Sequence, residues 1–190
     1  TPGHGYPALH GLSSTVFTIG HSTRAFDDLV RMPRKNGVTS LVDVRSYPSS
    51  RAFPRWNQDA IVKSLPDDID YKWIQDLGGR RHTRAGTPSV NDGWRVKAFR
   101  DYADYMQTPN FRAELQELIE VNDTGSTAIM CSEAVPWRCH RRPITYALLV
   151  RATPVFDNIP AGVTRPATHT PLSKVNGLEI TLPEPEANSG

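Results

Sequence analysis

The chemistry this sequence can offer is concentrated around two cysteines and one proline. Cys131 closes the apolar run Ala128-Ile129-Met130-Cys131, and Cys139 opens Cys139-His140-Arg141-Arg142, which leads into helical spacing at Ile144, Ala147, Leu148 and Arg151. Pro143 dates that helix. An interior proline costs about 3 kcal/mol, and its missing N–H is harmless only in the first turn, so the helix cannot begin much before His140. Cys131 is therefore expected at the C-terminal end of a strand and Cys139 at a helix N-terminus, joined by the loop Ser132 to Arg138. The unsatisfied N–H groups and positive dipole end of the helix face that loop, and Arg138, Arg141 and Arg142 add cations, so an anion is welcome there. The same setting lowers a thiol pKa from its usual value near ~8.5, which makes either cysteine a candidate nucleophile. The plainer alternative is that both are small buried residues beside a helix end.

Other polar residues are expected at equivalent places. The first strand runs out into Gly20-His21-Ser22-Thr23-Arg24, the second into Asp43-Val44-Arg45-Ser46 and the fourth into Cys131-Ser132-Glu133. In an open parallel sheet the ligand crevice lies outside the carboxyl ends of the strands, so these residues fall where a site belongs. Each has a bland role open to it. His21 can satisfy a helix-start N–H, Asp43 can pair with Arg45 or cap a turn, and Glu133 can pair with an arginine. The stretch Ser49 to Trp56, containing Arg51, Phe53, Arg55 and Trp56, mixes cations with aromatics and can hold a phosphate while stacking a base. It reads equally as a Pro-bounded loop whose Phe and Trp plug the core edge.

The elements that must position these groups follow from periodicity. Short apolar runs alternate with helical segments, the mark of strand, crossover and strand in a mostly parallel sheet. Strands are expected at Val16–Ile19, Ser40–Val44, Tyr71–Ile74, Ala128–Cys131 and from Pro154, with a weak one at Leu178–Leu182. The second, apolar on both faces, suits a central position. Helices are expected after Thr23 with Phe26, Leu29 and Val30 inward, after Asn57 with Ile61, Val62 and Leu65 inward, and through Phe99, Tyr102, Ala103 and Met106. Another carries Phe111, Leu115, Leu118 and Ile119, with Thr108 as cap and Pro109 at the first helical position. Pro33 and Asn36-Gly37 end the first helix, and Arg80 to Arg95 reads as a long polar loop.

Composition sets the outer bounds. The 190 residues carry 22 Lys+Arg against 20 Asp+Glu, a net charge of +2, which excludes a polycation that binds nucleic acid by charge alone. At that length one domain can bury its own core. Sixteen prolines, about 8% against the usual ~5%, suggest a loop-rich globule. No apolar run reaches the roughly 20 residues that span a bilayer, so a soluble protein is expected. Two cysteines make no disulfide scaffold, and a cytoplasmic setting with reduced thiols is the expectation.

Several separate motifs carry a resemblance. Thr18-Ile19-Gly20-His21-Ser22-Thr23, Leu41-Val42-Asp43-Val44-Arg45-Ser46-Tyr47-Pro48, Leu77-Gly78-Gly79-Arg80-Arg81 and Met130-Cys131-Ser132-Glu133 followed by Cys139-His140-Arg141 resemble, in order, the family called domain of unknown function 488. The resemblance runs roughly from Thr15 to Leu182 and implies a compact α/β domain with a parallel-type sheet, but no settled activity. Asn158 stands where that family usually has His. A looser likeness to rhodaneses and cysteine phosphatases is mechanistic only, since six residues rather than five separate Cys131 from Arg138 and the loop lacks glycines.

The expectation is thus an α/β fold in one domain: a flexible segment 1–14, a core 15–159 built on an open, mostly parallel sheet with helices on both faces, and a small β extension, 160–190, packing on the core. Function is expected to be enzymatic, a cysteine-dependent transferase or hydrolase with Cys131 as nucleophile. His21, Glu133 and His140 would move protons, and Ser22, Arg24, Asp43, Arg45, Arg51, Arg138, Cys139 and Arg141 would bind a phosphorylated or nucleotide-like anion. No cofactor, metal or membrane is expected. Two alternatives stand beside the enzymatic reading: a Zn²⁺ or Fe²⁺ site made by Cys131, Cys139, His140 and His21, disfavoured by the nearby arginines, and a non-enzymatic module for nucleic acid gripping it through arginines, Phe53 and Trp56.

Overall fold

A computed structural model describes residues 15–20, 31, 37–49, 54–79, 89–94, 97–131, 141–151, 153–159, 163–167, 174–176 and 179–181. Strands β1 (Val16–Gly20), β2 (Val38–Asp43), β3 (Asp70–Trp73), β4 (Ser126–Cys131) and β5 (Val155–Ile159) lie parallel, and β6 (Val163–Pro166) joins β5 antiparallel. The strand order is β3-β2-β4-β1-β5-β6. Helices α1 (Gln58–Ser64), α2 (Lys97–Tyr105), α3 (Pro109–Asp123) and α4 (Arg141–Val150) cover the sheet, and β7 (Lys174–Asn176) and β8 (Glu179–Thr181) make a small antiparallel pair. The expected α/β class, with a mostly parallel sheet and a small C-terminal β element, is what the chain adopts. None of the helices, among the described residues, is long and apolar enough to cross a membrane.

Strand alternation divides the core in two. On one face Ile19, Val38, Leu41, Ala128 and Met130 pack with Ile61 of α1 and with Trp56 and Ile69. On the other, Val16, Val42, Val44, Ile129, Cys131 and Val155 meet Tyr102 and Ala103 of α2, Phe111, Leu115 and Leu118 of α3, and Ile144, Ala147 and Leu148 of α4. The chain steps one way across the sheet from β2 to β3 and the opposite way from β3 to β4 and β4 to β5. Crossovers of a single hand then send α1 to one face and α2, α3 and α4 to the other, which is the observed division.

Local signals explain the element ends. Gly37 takes a positive φ of 71° just before β2, a conformation that suits glycine. Thr108 caps α3, accepting from the Phe111 N–H at 3.3 Å, with Pro109 following it as expected. Helix α4 begins at Arg141 and holds Pro143 in its first turn.

One expectation needs correction, and three features go beyond what the sequence led one to expect. Val62 is not inward but 54% exposed, because in a helix of seven residues only Ile61, and Leu65 one turn on, share the core face. The loop expected through Arg95 is anchored at two points of its described part: Asn91 is fully buried and Trp94 is 8% exposed, while Val90 is 58% exposed. Strand β6 was not anticipated, since it is short and contains a proline, which a strand with one open edge tolerates. The weak C-terminal strand has a partner, β7, that no periodicity announced, and its Ile180 reaches the core cluster around α4. The expected helix at Phe26, Leu29 and Val30 lies outside the described residues.

Candidate functional site

Strand β2 ends in a saturated ion pair. Asp43 is fully buried and Arg45 is 6% exposed. Arg45 donates through Nε to Asp43 Oδ1 at 2.9 Å and Oδ2 at 3.1 Å, and through Nη2 to Oδ2 at 2.7 Å, while its backbone N–H reaches Oδ1 at 3.1 Å. The Tyr71 hydroxyl, from β3, donates to Oδ2 at 2.6 Å, and Trp73 Nε1 donates to the Arg45 carbonyl at 2.8 Å. Asp43 faces Trp73 across the ladder and Leu41 faces Tyr71, so alternation places Tyr71, Trp73 and Asp43 on the α1 face. Of the roles open to Asp43, pairing with Arg45 is the one the geometry displays. The pairing offsets the charge with which Arg45 would draw an anion.

Tyr71 and Trp73 were absent from the candidate residues. The signal available was their i, i+2 spacing on a short strand, but it points at Asp43 only once β3 is known to lie beside β2. Burial pushes the Tyr71 phenol well above its ordinary value, and the neighbouring Asp43 carboxylate pushes it further, against a smaller lowering by Arg45. The folded protein therefore keeps Tyr71 protonated where the unfolded chain ionises, near pH ~10. Its contribution to stability is whole below that pH and declines as pH rises through and beyond it. Urea unfolding from about pH 8 to about pH 11 should show the gap between wild type and Tyr71→Phe narrowing over the upper part of that range. A gap constant with pH would mean that the phenol titrates alike in both states.

The loop after β2 is pinned by another expected motif. A Cβ on Gly78 would lie 2.6 Å from Ser46 Cα and 2.7 Å from Ser46 N, so the chain of Leu77-Gly78-Gly79 is seated against the backbone that leaves β2.

Cys131 ends β4, in register with Gly20 of β1, and the Val44 N–H donates to the Met130 carbonyl at 3.0 Å. The thiol thus reaches the same carboxyl rim as Asp43 and Arg45, but on the opposite face: Cys131 shares the α2–α4 side with Val44 and Ile129, Asp43 the α1 side with Met130. It is 1% exposed. On that face, two residues before Gly20, Thr18 donates to the buried Asp157 of β5 at 2.5 Å, a pair that sequence reasoning missed because it joins strands 139 positions apart.

Of the remaining candidates, His21, Ser22, Arg24, Arg51, Glu133, Arg138, Cys139 and His140 lie outside the described residues, and Arg141 is described in its backbone alone. Among the described residues no group of three His, Cys, Asp or Glu side chains could hold a metal ion. Trp56, the stacking platform of the nucleic-acid alternative, has no exposed surface, and Arg55 lies over its ring at 5.9 Å.

Comparison with protein families matches the chain to Domain of unknown function DUF488 over residues 25–148, more than half of the chain. The chain belongs to this family. The DUF488 match takes in β2, the Gly78 turn, Cys131 and most of α4, while β1 and β5 to β8 fall outside it. The family description carries no activity. No curated protein and no solved structure matches the chain.

Proposed function

We propose that this DUF488 protein is a cysteine-dependent transferase or hydrolase that takes an anionic, phosphorylated or nucleotide-like small molecule in the crevice between the carboxyl ends of β2 and β4. One observation carries the reading: β2 and β4 are neighbours whose onward connections pass over opposite faces of the sheet, the switch point at which open α/β sheets part to admit a ligand. Asp43 and Arg45 stand on one side of that crevice and Cys131 on the other. Because Asp43 offsets Arg45, the anion is held by the opening N–H groups of α4 together with Arg138 and Arg141, with Ser22, Arg24, Arg51 and Cys139 around it. The Cys131 thiolate forms a bond to the electrophilic centre as the bond to the leaving group breaks. The leaving group takes a proton from His21, Glu133 or His140, and water then cleaves the thiol adduct to return Cys131.

The burial of Cys131 sets the test. In a Cys139→Ser background, iodoacetamide should alkylate Cys131 in the native state at neutral pH, and added inorganic phosphate should slow the reaction. Alkylation only after unfolding in urea would remove the covalent mechanism. A rate indifferent to phosphate would remove the anion from the crevice.

A further inference from the structure

Arg142 stands in the sequence as one of three cations facing the anion, and the structure sets its side chain against two aromatic rings. Its guanidinium carbon lies 5.3 Å from the centre of the Trp94 ring and 5.7 Å from that of Tyr146. Nε donates to the Tyr146 hydroxyl at 2.8 Å. The two rings are 5.9 Å apart and tilted by 31°, so cation and rings form a triangle rather than a sandwich. Trp94 and Tyr146 are 8% and 5% exposed, which shields the contact from water.

Trp94 is itself fixed. It meets Phe99 of α2 edge-on at 5.8 Å. Upstream, the Ser89 hydroxyl donates to Asp104 Oδ1 at 2.6 Å, Asn91 Nδ2 donates to the same oxygen at 2.9 Å, and the Asn91 N–H donates to Ser89 Oγ at 2.9 Å. The segment 89–94 is thus bound to α2 near both of its ends, and Arg142 ties the first turn of α4 to it. Tyr146, one helical turn beyond Arg142, closes the tie within the helix.

We propose that Arg142 is a positioning residue, which holds the opening turn of α4 in place through Trp94 and Tyr146. The inference rests on the crevice reading for its consequence, since the N–H groups of that turn are the ones assigned to the anion. Pro143 removes one donor from the turn, so the orientation of those that remain matters more. A guanidinium can lie against a ring and donate in its own plane to a neighbouring hydroxyl. An ammonium has no such plane, so lysine keeps the charge and loses the fit.

Two mild variants test this, Arg142→Lys and Tyr146→Phe, the second keeping the ring and deleting the acceptor. Native-state hydrogen exchange is read at the Thr145 and Tyr146 amides, the first to bond back within α4, and inorganic phosphate is titrated by NMR shifts. Both variants should speed exchange at those amides about fivefold and weaken phosphate binding by a similar factor. If Arg142 instead touches the anion, Arg142→Lys will weaken phosphate binding with exchange unchanged, and Tyr146→Phe will alter neither, which overturns the proposal. If wild type binds no phosphate, the crevice reading fails, and exchange by itself still decides whether Arg142 holds the turn.

Discussion

Replacing Asp43 by alanine should destabilise the protein by about 3–5 kcal/mol, the usual cost of stranding one partner of a buried ion pair. Arg45, 6% exposed, would be left with its carboxylate gone, and the Tyr71 hydroxyl and the Arg45 N–H would each lose the Asp43 oxygen that accepts from it. For a chain of this length each kcal/mol lowers Tm by about 2–4 °C, so a fall of roughly 10 °C is expected. A double-mutant cycle separates the pair from its surroundings. Asp43→Leu combined with Arg45→Met should recover much of the loss, because two apolar side chains need no mutual compensation. Urea unfolding of wild type, both single variants and the double variant measures the coupling. A loss under about 1 kcal/mol for Asp43→Ala would show that the pair is not sealed from water.

Trp56→Ala should cost about 3–5 kcal/mol, the range for emptying a large aromatic site. Trp56 has no exposed surface and belongs to the cluster of Ile19, Leu41, Ile61, Ile69 and Met130, under the short helix α1. Trp56→Phe should cost less, since the ring is retained. The measurement also bears on nucleic acid as a partner. A stacking Trp would, on truncation, lose oligonucleotide affinity at unchanged stability, and the burial of this ring leads to the reverse expectation.

Much of the fold was legible because its signals are local. The apolar runs that became β1, β2 and β4, the Thr108-Pro109 opening of α3, and Pro143 in the first turn of α4 each rest on the chemistry of a few adjacent residues. The candidate site was legible only as a set of strand ends. What each end does depends on a neighbour that lies elsewhere in the chain, such as Tyr71 for Asp43, Gly78 for the Ser46 backbone and Trp94 for Arg142.

By itself the chain specified the order of β1 to β5 with α1 to α4 between them, the place where α4 starts, and the carboxyl rim to which Asp43, Arg45 and Cys131 are delivered. Tertiary structure decided the sides. Side chains alternate with a period of two, so the face on which Asp43 or Cys131 falls depends on the register between β2 and β4, which no local pattern states. The same step settled how the arginines are held: a carboxylate offsets the charge of Arg45, while two rings orient Arg142 and leave its charge in place. Asp43 lies only two positions from Arg45, so that pairing was already open in the sequence, whereas Trp94 becomes a neighbour of Arg142 only when separate elements pack.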